Sequence, residues 1–171
     1  MLSKLRRWLR EGLILLALLA GAMLLMDAWR APQLPASFDS TPLQTLDGEN
    51  VTLAALSKDE PVLLYFWASW CDMSREELPV VQAMYDQYGG DCGFIVASVE
   101  AEDTVSTVEA LKQTLDLTTL PMGTGGLDAF LAYEQPGIPF SVLIDADGTV
   151  RAMHLGVATA EGRLDALDDI R

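Results

Sequence analysis

The hydrophobic period of this sequence changes abruptly around a single cysteine, and this change constrains the fold more than any other feature. Residues 61–67 form a continuous apolar run of strand length, rich in β-branched and aromatic side chains. Beyond Cys71, apolar residues recur with the spacing of one helix face: Leu78, Val81, Tyr85 and Tyr88. The sequence therefore predicts a buried strand over residues 62–67 and a helix over residues 71–88.

Cys71 then lies at the N-terminus of the predicted helix. At that position, unpaired backbone N–H groups and the positive end of the helix dipole favour a thiolate over a thiol. The thiolate is the reactive form of cysteine. A cysteine can also be an inert core residue, but the strand-to-helix position favours a reactive thiol here.

The residues around Cys71 resemble the active-site motif of the thioredoxin superfamily. The resemblance is closest to the membrane-anchored, periplasm-facing TlpA/ResA-like branch, which includes cytochrome c maturation and copper-tolerance proteins. That branch has the pattern F-W-A-x-W-C-x-x-C-R-x-E-x-P, which this chain matches at Phe66, Trp67, Ala68, Trp70, Cys71, Arg75, Glu77 and Pro79. It departs at Ser74, where the pattern has a second cysteine. The resemblance covers about residues 38–170 and includes segment 133–139, which is similar to the family's Y-x-V-x-G-x-P.

The resemblance implies an α/β thioredoxin fold, in which helices flank a central mixed β-sheet, with an N-terminal β-hairpin and an inserted helix. The local patterns are consistent with this architecture. They predict a hairpin over 45–53 that turns at Asp47-Gly48, a helical turn over 54–58, strands over 94–99, 140–144 and 149–155, and helices over 104–116, 127–133 and 160–170. Residues 118–126 are predicted as a loop with a weak strand preference at Thr119-Leu120.

Ser74 changes the chemistry that the motif implies. A C-x-x-C pair forms a mixed disulfide with its first sulfur and resolves that bond with its second. Ser74 is predicted one helical turn from Cys71 on the same face, where its hydroxyl can hydrogen-bond a thiolate but cannot attack a disulfide. Another thiol must then clear the adduct, through isomerisation by the substrate's own thiol or slow reduction by a partner or small molecule. A decayed, inactive site is the alternative.

Cys92 is not expected to act as the resolving thiol. The predicted helix over residues 71–88 separates it from Cys71 by about 25 Å. Two cysteines joined by a disulfide have Cα atoms within about 7 Å. An intramolecular Cys71–Cys92 disulfide is therefore not expected to form. Cys92 is expected to be a buried or loop thiol rather than the site of an intermolecular disulfide.

The resemblance also assigns roles to residues outside the C-x-x-S segment. Pro139 is expected to be a cis-proline that faces the reactive sulfur, and Ile138 to offer its backbone to an extended substrate. Trp70 is expected at the rim of this substrate site. Glu77 is either a proton acceptor near the thiol or a solvated helix residue. Tyr65 replaces the buried acidic residue of thioredoxins proper, which weakens any transfer of their proton-relay mechanism.

The N-terminal region predicts a membrane anchor. Residues 12–26 carry no polar side chain, and Trp8 and Trp29 bracket them. As a helix, residues 8–29 would measure about 33 Å, which suits a bilayer core of about 30 Å. Basic residues precede the apolar run and only Arg30 follows it closely, so the positive-inside rule places the N-terminus in the cytoplasm.

This orientation predicts four segments. They are a cytoplasmic basic segment (1–11), a transmembrane anchor (12–29), a linker (30–42) and a thioredoxin-like domain in the periplasm (43–171). A cleaved signal peptide ending at residues 20–22 is the alternative. The uncleaved anchor is favoured because apolar residues continue past that point.

The net charge and the cysteine content argue against nucleic-acid binding, a disulfide scaffold and a zinc site. The formal net charge is −14 at pH 7, which argues against nucleic acid, since its phosphates would repel the chain. The two cysteines make neither a disulfide scaffold nor a zinc pattern. His154, the single histidine, is expected on a strand surface. The sequence predicts no cofactor and no metal site.

Together these observations predict thiol–disulfide exchange on protein substrates in the periplasm through Cys71 alone, by an inner-membrane protein. The activity would be isomerase-like or that of a monothiol reductase, with a membrane thiol–disulfide relay protein as a possible partner. The alternative is a non-catalytic binding module that holds an unfolded, haem-related or metal-related client in the same groove.

Overall fold

The structure is a computed structural model that describes residues 11–22, 42–52, 55 and 60–157. The chain divides into two compact units, Met1–Ala31 and Pro32–Arg171. In the first unit, residues 11–22 are helical, and the leucine and isoleucine side chains of this segment are more than half exposed. Among the described residues, no helix has the length and apolar character that crossing a membrane requires.

The second unit is an α/β unit. In chain order its described elements are β1 (Pro42–Thr45), β2 (Asn50–Thr52), β3 (Val62–Trp67), α1 (Asp72–Tyr88), β4 (Gly93–Ser98), α2 (Val105–Thr114), β5 (Met122–Thr124), α3 (Leu127–Leu131), β6 (Phe140–Ile144) and β7 (Val150–Leu155). The strands form one mixed sheet in the order β2-β1-β5-β4-β3-β6-β7. The central strand β3 runs parallel to β4 and antiparallel to β6.

Helices cover both faces of this sheet around β3. Leu63, Tyr65 and Trp67 face a core that includes side chains of α1 and α2, whereas Leu64 and Phe66 face a core that includes α3. Because β3 is buried on both faces, its sequence is continuously apolar rather than alternating. This burial explains the apolar run that marks the strand in the sequence.

A short segment that contains Cys71 connects β3 to α1. β3 ends at Trp67, and α1 begins five residues later at Asp72. The α1 helix ends at Tyr88, and at the next residue, Gly89, a Cβ atom would lie 2.6 Å from the carbonyl oxygen of Tyr85, so a larger residue would collide with the last turn. Cys71 is thereby held between a fully buried strand and a helix packed across it.

Most of the predicted elements are confirmed within one to three residues. The hairpin turns at the predicted Asp47-Gly48, and Gly48 has a φ of 82° that an L side chain rarely adopts. Its first strand begins at Pro42, which the sequence prediction had placed at the end of the linker. The predicted strand over 140–144 is found as β6 with the same bounds.

The weak strand predicted at Thr119-Leu120 is wrong. The strand in this region is β5, which begins at Met122. The backbone N–H groups of Thr119 and Leu120 donate instead to the side-chain oxygen of Gln82, at 3.3 and 3.0 Å. A side chain from α1 therefore takes the place of a strand partner, and local sequence carries no information about this contact.

Other predictions fall largely on residues that the structure does not describe. These are the cytoplasmic segment 1–11 apart from residue 11, residues 23–29 of the anchor 12–29, the linker 30–42 apart from residue 42, the helical turn 54–58 apart from residue 55, and the closing helix 160–170. They stay predictions.

Candidate active site

Cys71 is the N-cap residue of α1. Its backbone is extended, with φ −86° and ψ 106°, and its N–H donates to the carbonyl of Ala68 at 3.1 Å to close a turn. Its own carbonyl accepts the N–H of Arg75 at 3.0 Å, the first bond of the helix. The turn over residues 68–71 therefore places the sulfur beside the free N–H groups of the helix N-terminus, which stabilise negative charge.

A carbonyl from a distant part of the chain faces this sulfur. The Ile138–Pro139 peptide bond is cis, as predicted. The Cys71 Sγ lies 3.9 Å from the Ile138 carbonyl oxygen. The two segments meet because β6, which follows Pro139, pairs antiparallel with β3 in a register that sets Phe66 opposite Phe140. The sheet thus brings the ends of both strands to one edge.

Two large side chains beside Cys71 are exposed. Trp70 is 64% exposed and Met73 is 51% exposed. The indole N–H of Trp70 donates to a carboxylate oxygen of Glu100 at 2.7 Å, which fixes the ring at the edge of the site. Trp67, the last residue of β3, is fully buried in the core.

The expected hydrogen bond between Ser74 and Cys71 is not formed. Ser74 is fully buried, and its Oγ has no hydrogen-bond partner among the described residues. Cys71 is the N-cap residue, and its side chain makes no hydrogen bond to the first turn of α1. The Cys71 sulfur instead lies 3.9 Å from the Ile138 carbonyl oxygen.

Glu77 is buried, so it is not the solvated helix residue that the sequence left open. It is 1% exposed, and one of its carboxylate oxygens accepts a hydrogen bond from the Tyr65 hydroxyl at 2.8 Å. A buried carboxylate requires such donors, because burying a charge without partners is strongly unfavourable. Tyr65 stands where thioredoxins proper have a buried acid, and here it donates to an acid supplied by α1.

The sequence analysis did not identify Asp103, which the structure places against the active-site turn. Asp103 is 4% exposed and lies between β4 and α2. Its Oδ2 accepts the backbone N–H of Ser69 at 3.0 Å and the hydroxyl of Ser98. In the sequence it is one acid among several in the segment 100–103, and no local pattern distinguishes it from a solvated residue.

Cys92 lies just beyond the other end of α1. Both cysteines are free thiols, and the 17 residues of α1 separate them by about 25 Å along the helix. Burial raises the pKa of Cys92 to about 11, and its sulfur contacts the Gly93 carbonyl at 3.4 Å. Cys92 is therefore a protonated core thiol at neutral pH.

The described residues form a single-thiol site. They place one sulfur at a helix N-terminus, a backbone carbonyl before a cis-proline opposite it, and exposed apolar side chains at its rim. In the described ranges, no group of three His, Cys, Asp or Glu side chains is arranged to hold a metal ion. The arrangement is suited to attack by a thiolate on a ligand bound in an extended conformation.

Comparison with known proteins identifies the family. The family model described as "AhpC/TSA family" matches residues 33–162. The chain belongs to the AhpC/TSA family. This AhpC/TSA protein is 30% identical over 134 residues to the Sporulation thiol-disulfide oxidoreductase A of Bacillus subtilis, covering 77% of this chain and 78% of the relative.

Further matches support the thioredoxin-like resemblance. The chain is 29% identical over 116 residues to the Thiol-disulfide oxidoreductase ResA of Bacillus cereus, covering 68% of this chain and 66% of that protein. Its structure is similar to that of a thio-disulfide isomerase from Thermus thermophilus, with a TM-score of 0.67 and 28% identity over 82% of this chain and 95% of that one. The predicted thioredoxin-like fold and kinship to ResA are confirmed.

Proposed function

We propose that this protein catalyses thiol–disulfide exchange on protein substrates through Cys71 alone. The observation that carries the proposal is the Cys71 sulfur at the N-terminus of α1, 3.9 Å from the carbonyl that precedes cis-Pro139, with Ser74 in place of a second thiol. The activity named for the relatives supports the same chemistry. The exposed Trp70 and the Ile138-Pro139 backbone form the substrate platform.

The reaction proceeds by successive exchanges at sulfur. The Cys71 thiolate attacks one sulfur of a substrate disulfide; a Cys71–substrate disulfide forms, the original S–S bond breaks and a substrate thiolate leaves. A second thiolate then attacks the mixed disulfide and releases Cys71. If that thiolate belongs to the substrate, the result is isomerisation without net redox change. If a thiolate of a partner protein or a small thiol attacks the Cys71 sulfur instead, the reduced substrate leaves and a Cys71–partner disulfide forms; a second thiol of that partner or a second small thiol then cleaves this disulfide and releases Cys71, so that two external thiols are oxidised to one disulfide.

Glu77 is the proposed proton acceptor for the thiols at this site. It follows Ser74 by one helical turn in α1, and both residues are buried. Tyr65 holds its carboxylate by the hydrogen bond described above. A carboxylate kept inside the protein in one orientation is suited to proton transfer. Because the Ser74 hydroxyl cannot attack a disulfide, the mixed disulfide persists until another thiol arrives.

The proposed location is the periplasmic face of a bacterial inner membrane. The apolar run 12–26 with basic residues ahead of it supports an uncleaved anchor over residues 12–29 with its N-terminus in the cytoplasm. The helical conformation and exposed leucines of residues 11–22 are consistent with contact to lipid. A membrane thiol–disulfide relay protein is a suitable reductant in this location.

A second candidate is a binding module without catalysis. It is favoured by the exposed Trp70 and Met73 beside a site that has no resolving sulfur. Such a module would hold an unfolded, haem-related or metal-related client in the same groove. It would not need a covalent bond to Cys71.

An acid-quenched, non-reducing gel of fractionated cells tests both candidates. We expect membrane-associated mixed disulfides with the wild-type chain that vanish with Cys71→Ser and persist with the matched control Cys92→Ser. Absence of adducts, with Cys71 unreactive to maleimide, would reject the exchange function. Client retention by Cys71→Ala would then support the binding module, and recovery of the full chain in the soluble fraction would reject the anchor.

A further inference from the structure

The turn that precedes Cys71 is held from outside by the loop over residues 98–103. Asp103 accepts the backbone N–H of Ser69 at 3.0 Å, and Glu100 accepts the indole N–H of Trp70 at 2.7 Å. The two residues immediately before Cys71 are therefore both bonded to one loop. These contacts join segments more than 25 residues apart in sequence.

This loop is itself well fixed, so it can act as a support. The backbone N–H of Glu100 donates to the Ser98 hydroxyl at 3.1 Å, and the N–H of Asp103 donates to the Glu100 carbonyl at 3.2 Å. Thr104 caps α2 by accepting the N–H of Thr107 at 3.3 Å. A displacement of the Asp103 carboxylate would therefore require the end of β4 or the start of α2 to move.

Burial of Asp103 makes its contact with the turn strong. The residue is 4% exposed and its Oδ2 accepts two hydrogen bonds, one from Ser69 and one from the fully buried Ser98. Hydrogen bonds to a carboxylate are stronger than bonds between neutral groups, particularly away from water. The Ser69 peptide plane is thus restricted to one orientation.

The orientation of that peptide determines where the sulfur lies. The turn over residues 68–71 closes through the bond from the Cys71 N–H to the Ala68 carbonyl, and Ser69 is its second residue. Rotation of the Ser69 peptide would swing the end of the turn, and with it the Sγ atom that lies 3.9 Å from the Ile138 carbonyl. A substrate bound along Ile138 would then meet a misplaced nucleophile.

We propose that Asp103 is a positioning residue for disulfide exchange, which holds the turn over residues 68–71 so that the Cys71 sulfur faces the Ile138 carbonyl while an extended substrate binds. The inference rests on the proposed function, since it assigns a role in the same reaction. It adds a residue on the far side of the turn, between β4 and α2, to a site otherwise formed by α1 and the segment before β6.

The test compares Asp103→Leu with Asp103→Asn in the full-length chain. Both replacements have the same number of side-chain heavy atoms as aspartate and the same branching, but only asparagine keeps an oxygen that can accept the Ser69 N–H. Gln82→Ala is the matched control, because Gln82 is also a buried side chain that accepts loop N–H groups, those of Thr119 and Leu120, away from the turn.

Two probes separate positioning from general loosening. The first is a peptide whose cysteine forms a disulfide with thionitrobenzoate; attack by Cys71 on the peptide sulfur releases thionitrobenzoate, whose colour gives the rate. The second is iodoacetamide, which needs only a thiolate and no backbone platform. Mass spectrometry of the Cys71 peptide measures its alkylation.

We expect Asp103→Leu to slow exchange with the peptide by about tenfold, the loss typical of one hydrogen bond to a charged group. Alkylation by iodoacetamide should change much less. Asp103→Asn should restore most of the exchange rate, and Gln82→Ala should leave both rates unchanged. Circular dichroism and thermal melting identify the folded variants. If Asp103→Leu does not fold, Asp103→Ala replaces it in the same comparison. If neither variant folds while Asp103→Asn does, a positioning role is rejected in favour of a purely structural one.

Other outcomes reject the inference in distinct ways. Equal exchange rates for the wild-type chain and Asp103→Leu would show that the contact does not position the nucleophile. Equal slowing by Asp103→Asn and Asp103→Leu would assign the effect to charge, and equal slowing by Gln82→Ala would assign it to stability. Failure of the wild-type chain itself to release thionitrobenzoate would instead reject the proposed function.

Discussion

At the scale of single residues, the pairing of Tyr65 with Glu77 distinguishes this site from that of thioredoxins proper. The sequence indicates only that a tyrosine replaces an acid on β3. The structure shows that the tyrosine hydroxyl donates to a buried carboxylate contributed by α1, at 2.8 Å. An acidic group is therefore kept near the core, but it comes from the helix that carries the nucleophile.

This pairing predicts a specific loss of stability. Tyr65→Phe removes a donor from a buried carboxylate, and we expect the free energy of unfolding to fall by about 1.5–3 kcal/mol, as for hydrogen bonds to charged groups. Urea unfolding followed by circular dichroism measures this change. Tyr85→Phe is the control, because it keeps the ring contact with Phe94 and should change stability by less than about 0.5 kcal/mol.

A double-mutant cycle tests the assignment to Glu77. The Glu77→Gln variant retains an oxygen that can accept the Tyr65 hydroxyl, but the bond becomes one between neutral groups. The loss caused by Tyr65→Phe should then shrink to about 0.5–1.5 kcal/mol. An unchanged loss in the Glu77→Gln background would show that the tyrosine stabilises the fold through other contacts.

At the scale of elements, the N-terminal hairpin joins the sheet through the short strand β5. The β1 strand pairs with β5 at only two positions, Gln44 with Thr124 and Thr45 with Gly123. A Cβ atom on Gly123 would lie 2.5 Å from the Gln44 carbonyl oxygen. The close approach of these two backbones therefore depends on glycine at this position.

Gly123→Ala should detach the hairpin from the sheet edge. We expect a loss of about 1–3 kcal/mol in unfolding free energy, since the collision is with backbone and cannot be relieved by a rotamer change. Hydrogen exchange should show faster exchange of the β1 amides while β3 stays protected. Gly90→Ala, where a Cβ atom would meet nothing within 4 Å, is the control. Equal protection of β1 in both variants would contradict this account.

At the scale of the whole molecule, two buried groups that are uncharged at neutral pH, the Cys92 thiol and the Tyr133 hydroxyl, make the free energy of unfolding depend on pH in the alkaline range. Burial raises the pKa of the Cys92 thiol from 9.0 to about 11 and also raises the pKa of the Tyr133 hydroxyl. Between pH 9 and pH 11 the Cys92 thiol binds more protons in the native state than in the unfolded state, so the free energy of unfolding falls as pH rises. Lys112 acts in the opposite direction, because burial lowers the pKa of its ammonium group.

Cys92 should account for a measurable part of the alkaline loss. We expect the free energy of unfolding of the wild-type chain to fall between pH 9 and pH 11, the window bounded by the pKa of the free and the buried thiol. Cys92→Ala should show a shallower fall over the same window, whatever its stability at neutral pH. Urea unfolding at a series of pH values gives both slopes, and identical slopes would exclude Cys92 as a source.

Local patterns in the sequence are enough to locate the segment that contains the nucleophile. A doubly buried strand must be apolar along its length, and a helix packed on one face must repeat with its own period, so β3, α1 and the position of Cys71 between them follow from local pattern. The family motif added the cis bond at Pro139 and the exposed Trp70, which the structure contains. These features depend on residues that are neighbours in the chain.

The polar groups that surround the sulfur depend instead on contacts between segments that are distant in the chain. Cys71 makes no hydrogen bond with Ser74, and the sheet brings the Ile138 carbonyl oxygen to 3.9 Å from its sulfur. Asp103 accepts the N–H of Ser69, although 34 positions separate the two residues in the sequence. Gln82 accepts N–H groups of the loop in which a weak strand preference was predicted. Each of these contacts joins segments whose spacing along the chain carries no periodic pattern. Their partners are set by strand order and helix packing, which exist only once the sheet has formed.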